Sequence, residues 1–534
     1  MTSEFESTTH LNPSSGFELK DVELSAEGSS HRLASVCYDP SAEDILALQH
    51  PGDTMTRKMH VVNDAIDQIG WTPYHTKLFF LNGFGYAVDS LVLLLQSVIA
   101  SAAFVEFGKE GYENGLTVAV YTGMLCGSLF WGFGADIVGR RYAFNMSLLF
   151  CSIATLIAGG MPNWASLGVL VFVIGFGAGG NLILDTTVFL EYLPSKWQWV
   201  LTFLAGWWGL GQSMAGFIAW GFLVPEKWNC ATDGKDSVDT CTRVNNMGWR
   251  YVMFTSGTIV LVMSVLRVTI IRLIETPKYL IALREDTEVA KTLQSMASKY
   301  NRPCRITAAK LINLGVVTGA HSNNRFSLAE SSVHLRGLFS TRVMALSTSL
   351  LCLSWALAGL AYPLFYVFLP TYLEARGANQ EVTPDEKWRN YAVINLSSIF
   401  GPFLAGYLCN RRLLGRRYTM LIGAMVTSAF FFAYTSARTT ARDAGFGCAI
   451  GFSFNVYLGT LYAYTPEILP SAHRATGYGI AVGCNRIMGI LSAVIATVAD
   501  TRATAPFYLC AGLLAVLGLV SILFPFEPFG RRSS

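Results

Sequence analysis

Five charged side chains interrupt the apolar stretches of this sequence: Asp89, Asp185, Arg267, Arg272 and Arg486. Asp89 lies in "LNGFGYAVDSLVLLLQ" (81–96), a run long and apolar enough to cross a bilayer. It stands roughly eleven residues from the near end of that run, ~16 Å along a helix axis and so close to a membrane midplane. An ionisable group at that depth is costly and calls for a reason. A carboxyl that meets water from alternate sides can bind and release a proton there. The plainer reading ties Asp89 permanently to a donor such as Asn82, Gln96 or a facing arginine. Arg486, in "GCNRIMGI", sits at a similar depth. A guanidinium does not deprotonate, and its planar fork fits a carboxylate with two parallel bonds. Arg486 is therefore read as an anion clamp, or as the internal partner of Asp89 or Asp185.

Asp185 precedes Glu191 by six residues on the same apolar run. It is shallower than Asp89, and a second proton site, a partner for Arg486 and part of an inner gate are its readings, the gate being favoured. Arg267 and Arg272 fall near the end of their run, where a long side chain is expected to reach the headgroups. Asn181, Gln212 and Asn485 are polar candidates for a ligand, and Trp207, Trp208, Trp355, Tyr366, Tyr457 and Tyr462 could stack on a flat ring. Helix-packing bulk is the alternative for each aromatic residue.

These residues need elements that hold them inside a membrane. The 534 residues are 52% hydrophobic and 14% charged, with a mean hydropathy of +0.40. Soluble domains carry nearer a quarter of charged residues. Twelve segments approach the ~20 apolar residues that span a bilayer: 78–100, 115–134, 142–160, 166–190, 200–223, 251–274, 343–369, 391–409, 419–436, 444–465, 476–498 and 505–526. The fold class expected is an all-α membrane protein of twelve transmembrane helices in two six-helix pseudo-repeats. "GRRY" occurs at 139 and again at 415, and an "E..LPS" pattern begins at 191 and again at 467, each pair 276 residues apart. Two unrelated motifs at one offset indicate a duplicated carrier whose halves rock around a midplane site.

The expected organisation is a disordered tail over 1–60, an amphipathic helix lying on the membrane over 61–76, a six-helix bundle over 77–274, a linker over 275–341, a second bundle over 342–526 and a short tail over 527–534. The polar start has no apolar core of a signal peptide, so both termini are expected in the cytosol. The four short loops then placed inside hold eight Lys and Arg, against four in the short outer loops, in line with the positive-inside rule. The plasma membrane is the expected location and a monomer the expected functional unit. A net charge of +3 without a basic stripe sets nucleic acid aside. Cys230 and Cys241 share a polar stretch expected outside, where a disulfide and two free thiols are both open readings. No Cys/His cluster has metal-ligand spacing, and no P-loop or nucleophile elbow appears, so no metal, cofactor or enzyme activity is expected.

"GFGADIVGRR" (132–141) is similar to the signature of the major facilitator superfamily, matched at Asp136, Gly139, Arg140 and Arg141. "ETPKYL" (275–280) and "PEILPSAHR" (466–474) resemble its sugar-porter-like branches. "AIDQIGWTPYHTKLFFLNGFGYAVDSLVLLL" (65–95), "GGNLILDTTVFLEYLP" (179–194) and "YPLFYVFLPTYL" (362–373) look like the branch of niacin carriers and synaptic-vesicle-protein relatives. The resemblance implies a proton-linked carrier of a small organic acid, nicotinate and other aromatic carboxylates first, with a gate of Asp136, Arg140, Arg141, Glu191, Arg416, Arg417, Glu467 and Arg474. Arg486 would take the anion with Asn181, Gln212, Asn485, Tyr366 and Tyr457, while Asp89 and Asp185 would carry protons.

Export of a metabolite or drug is the nearest rival. The Gly-Pro pattern of drug antiporters is absent from "LAGWWGLGQSMAGFIAWGF" (204–222), and the Gln-rich pattern of sugar carriers from "SLLCLSWALAGLAYPLFYVF" (349–368). Asn181 follows the paired glycines where phosphate carriers have Asp. A non-transporting membrane protein has no use for two deep charges.

Overall fold

The computed structural model describes residues 53–107, 112, 114–137, 140–230, 241–270, 275–316, 335–377, 383–436, 439–470, 473–498 and 505–528, without the side chains of 53, 136–142, 270 and 374–377. Helices run through the described residues of all twelve apolar segments. Nine of the described helices are long and apolar enough to cross a membrane. The third (Arg140–Ala158), fifth (Val200–Leu204, then Gly206–Leu223) and ninth (Gly415–Tyr434) fall outside that group: they are short, interrupted, or begin on paired arginines.

Local chemistry sets several ends. Asn163 accepts the Ser166 N–H at 2.8 Å and opens the fourth segment, Trp164–Ala178 continued by Asn181–Tyr192. Thr341 does the same for the seventh, Arg342–Tyr362. Thr383 and Glu386 form a reciprocal cap with Pro384 at the first helical position of the eighth, Pro384–Ser397 with Phe400–Cys409; each device satisfies orphan N–H groups. Pro363 lacks an N–H, and the seventh segment widens into a π-turn over Pro363–Val367. That turn carries Tyr366, and Tyr362 immediately precedes it.

The first (Pro73–Glu106), second (Gly115–Ile137) and sixth (Gly248–Ile270) segments complete the N-terminal half; the tenth (Thr440–Ile468), eleventh (Arg474–Val498) and twelfth (Ala505–Leu523) complete the other. The halves meet where the second segment packs along the eleventh and the fifth along the eighth. The end bearing the Gly-Arg-Arg loops and the linker is called the basic end below. At the opposite end Arg250 pairs with Glu106 and donates to the carbonyls of Gly159 and Met161, fastening the first, third and sixth segments.

The helix before the first crossing corrects the expectation for 61–76. It runs over Asp53–Ile69 and ends at Gly70, whose φ of +65° is a left-handed turn that glycine adopts without strain. Its apolar face, Met55, Met59, Val62, Ala65, Ile66 and Ile69, is buried in a small core with Leu280, Ile281, Val289, Leu293 and Leu311 of the linker. The linker supplies helices Pro277–Ala282, Asp286–Lys299 and Ala308–Ile312. Protein, not lipid, covers the stripe, because the linker offers a complementary apolar face. Lys58 bonds Asp286 at 2.6 Å, and Asp67 accepts from the Ser195 N–H and hydroxyl at 2.7 and 2.9 Å.

Candidate functional site

Asp89 is 1% exposed on the first segment, facing the fourth. Its Oδ1 accepts from the Asn181 amide at 3.0 Å, and its Oδ2 has no hydrogen-bond partner. The Asn181 oxygen accepts from Ser147 at 2.6 Å. Asn181 thus bridges Ser147 and Asp89 inside the N-terminal half and supplies Asp89 with a donor other than Asn82 or Gln96. Gln96 instead accepts from Thr117 at 2.8 Å.

One turn further along the same two helices lies a second carboxylate. Asp185 is fully buried and forms an ion pair with Arg267 of the sixth segment. Arg267 is 1% exposed, donates to the Phe144 carbonyl at 2.9 Å and lies 3.8 Å over the Phe144 ring. It does not reach for the headgroups, because a carboxylate, a carbonyl and a π-face satisfy it inside. The pair sits against Gly85: a Cβ there would come within 1.7 Å of Asp185 Oδ2 and 2.3 Å of Arg267 Nη2. Asp185 is therefore partnered by Arg267, not by Arg486.

Arg486 is 4% exposed on the eleventh segment. Among the described residues no carboxylate lies within ion-pair distance of it, and its Nε has no hydrogen-bond partner. Its guanidinium stands 5.9 Å from the Tyr121 ring centre. Around it both halves contribute aromatic rings. Trp355 stacks on Tyr462 with centroids 5.2 Å apart, and Tyr462 lies 5.6 Å from Trp208 and 6.1 Å from Tyr86. Gln212 and Trp208 both donate to the Tyr362 hydroxyl, at 2.9 and 3.3 Å. Tyr366 bonds Ser398 and Asn455, each at 3.0 Å. Asn485 donates to the Trp355 backbone carbonyl at 3.1 Å, and the Trp355 ring N–H donates to Thr465 at 2.9 Å.

Two of the aromatic candidates fall elsewhere. Tyr457 lies beside Ser354 and Ser521, inside the C-terminal bundle. Trp207 packs edge-on against Phe79, Phe80 and Phe84. Tyr86, Tyr121, Tyr362 and Asn455 belong to the central group and were missed. Tyr86 had a signal, since it lies one helical turn before Asp89 and shares its face.

The gate candidates divide. Arg416 forks onto Glu467 at 3.0 and 2.7 Å within the C-terminal half. Arg474 reaches across to Glu191 at 3.2 Å and joins the halves at the basic end. Arg417 does not meet Glu467: its backbone N–H bonds Glu527 and its guanidinium the Ile522 carbonyl. The side chains of Asp136, Arg140, Arg141 and Arg272 lie outside the described residues. At the opposite end Trp220 donates to Asp385 at 2.8 Å and Asn114 to Thr497 at 3.0 Å, again across the halves. Cys230 and Cys241 are joined as a disulfide, with Cα atoms 5.8 Å apart.

Two six-helix bundles bonded to each other at both ends, around a buried core of charges and aromatic rings, define a secondary carrier of the alternating-access kind. The sequence agrees: residues 78–493 match the model of the Major Facilitator Superfamily. The chain belongs to that superfamily. It is 37% identical over 485 residues to the siderochrome iron transporter 1 of Ceriporiopsis subvermispora, covering 89% of this chain and 92% of the relative. It is 27% identical to the niacin transporter NiaP of Acinetobacter baylyi, covering 79% and 87%. The solved proton:xylose symporter XylE, bound to 6-bromo-6-deoxy-D-glucose, superposes with a TM-score of 0.65 at 15% identity, covering 86% of this chain and 98% of that one. These relatives are named transporters, and the chain is a membrane transporter of a small molecule, not an enzyme.

Proposed function

We propose that the protein takes up a small organic acid together with protons, nicotinate and other aromatic carboxylates being the first candidates. The observation that carries this reading is Arg486: a buried guanidinium with an unpartnered Nε and, among the described residues, no carboxylate within ion-pair distance, ringed by aromatic side chains. A buried cation without a directly bonded counter-ion is costly and is relieved by an anion that binds to it. Trp355, Tyr462 and Trp208 offer π-faces to a flat ring, and Gln212, Tyr362 and Tyr366 offer polar groups. Asp89, held by one neutral amide, is the group for the proton. Arg474 with Glu191 is the inner gate, and Trp220 with Asp385 the outer one. The plasma membrane, cytosolic termini and a monomeric carrier complete the reading.

A second reading, transport of a ferric siderochrome, is favoured by the 37% identity to a carrier of that name. Uptake of radiolabelled nicotinate, a panel of aromatic acids and a ferric siderochrome into expressing cells separates the two. The proposal expects acid-stimulated, protonophore-sensitive uptake of an aromatic acid that is lost in Arg486→Gln. Uptake of the siderochrome alone would replace it with the second reading.

A further inference from the structure

Away from the two ends, four charged side chains are buried among the described residues: Asp89, Asp185, Arg267 and Arg486, none more than 4% exposed. The remaining deep pairs, Glu106 with Arg250, Glu191 with Arg474 and Glu467 with Arg416, are each internally neutral and stand near the helix ends. Two carboxylates and two guanidiniums sum to zero when the centre is empty. Neither guanidinium can lose its proton, and an uncompensated charge in a core closed at both ends is strongly disfavoured.

We propose that the central charges must sum to zero in every state that crosses between the two access states, so that the carrier moves one monoanion with one proton, without net charge. This rests on the reading above and adds the charge of the cargo and the stoichiometry. In the loaded state the substrate carboxylate lies on Arg486, and Asp89 must then accept one proton from the water that delivered the substrate. On the far side the substrate leaves Arg486, the Asp89 O–H bond breaks, and that proton goes to the water there. No other group changes its charge.

The proton falls on Asp89 and not on Asp185 because of their partners. Arg267 bonds Asp185, and Gly85 leaves room for that pair alone. Asp89 has a neutral amide on Oδ1 and a vacant Oδ2. The groups facing Asp89 from the packed segments are Asp185, Arg267, Arg486, Cys151 and Tyr478. A thiol and a phenol ordinarily titrate near 8.5 and 10 (about), above the range in which a carboxyl exchanges. A neutral sugar moved with a proton would leave the centre at plus one, and a dianion would leave it at minus one. Both are excluded by the same count.

The test uses purified wild-type protein in liposomes with radiolabelled nicotinate, protein-free liposomes serving as the control for passive entry. A gradient of about one pH unit, acid outside, accumulates nicotinate about tenfold if one proton moves with each molecule. An inside-negative potential of about 100 mV, imposed at equal pH, causes none. A single positive charge crossing with the substrate would instead give about fiftyfold accumulation, since that potential is worth about 2.3 kcal/mol per charge. Accumulation driven by the potential overturns the charge count while leaving proton-coupled uptake intact. No protein-dependent movement of nicotinate under either gradient, and no exchange, overturns the functional reading itself.

The variant Asp89→Asn gives a second arm. Its loaded state keeps zero charge without a proton, but its empty state carries plus one and cannot return. It is expected to exchange labelled for unlabelled nicotinate yet to lose net uptake. Net uptake at the wild-type rate by this variant contradicts the proposal.

Discussion

Arg474 on the eleventh segment donates to Glu191 on the fourth at 3.2 Å, both fully buried, so one ion pair joins the two halves at the basic end. Removing one partner leaves the other charged and buried, at a cost of about 3–5 kcal/mol. Arg474→Gln should therefore shift the carrier towards the state open at that end. Thiol labelling of a cysteine introduced beside Glu191 is expected to speed up in the variant. An unchanged labelling rate would mean that the pair does not hold the gate.

Close backbone approach marks the same interface. A Cβ on Gly479 would come within 2.8 Å of the Ser128 carbonyl, and one on Gly132 within 3.0 Å of the Ala475 carbonyl, where the second and eleventh segments cross near the basic end. At the fifth and eighth segments a Cβ on Gly216 would come within 2.7 Å of Ala392 Cα, towards the opposite end. Gly479→Leu should hold the basic end open and Gly216→Leu the opposite end. Accessibility of Cys substitutions at the two ends should rise at one and stay unchanged at the other, in reversed sense for the two variants.

Gly85→Ala probes the pair beneath Asp89. The added methyl would overlap Asp185 and Arg267, and overpacking of this kind costs about 1–3 kcal/mol. A lower melting temperature of the purified protein is expected. Ser90→Ala, which removes only a hydroxyl bonded to the Ala87 and Trp208 carbonyls, should cost less. Equal melting of Gly85→Ala and wild type would contradict the packing described.

The helix Asp53–Ile69 can be tested without transport. Met59 is completely buried against the linker helices. Met59→Asp places a charge in that core and should detach the helix. Limited proteolysis is expected to cut the linker severalfold faster while the membrane-embedded fragments stay unchanged.

Hydropathy, the 276-residue repeat and the Gly-Arg-Arg signature made the twelve helical segments and the superfamily legible in the chain. The residues of the centre were legible as residue types, because a charge in an apolar run stands out. Their partners were not. Arg267 lies seven residues from the end of the apolar run 251–274, so depth along one helix suggested headgroups, while Asp185 and Phe144 reach it from two other segments. The bonds of Asn181 to Asp89 and Ser147 depend on the packing of the first segment on the fourth, which residue type alone does not show. The stripe at 61–69 has the same amphipathic pattern whether lipid or a linker helix covers it. Tyr457 and Tyr462 are five residues apart on one helix and face different surroundings, a difference set by rotation of the helix and not by residue type.

The most direct test of the account compares nicotinate with nicotinamide, which has the same ring but no charge, by equilibrium binding to the purified protein. If Arg486 receives a carboxylate, nicotinate binds, nicotinamide does not compete, and Arg486→Gln weakens nicotinate by at least about tenfold, the worth of a hydrogen bond to a charged group. Equal binding of the two compounds, or unchanged nicotinate affinity in Arg486→Gln, would contradict the assignment of Arg486 as the anion site.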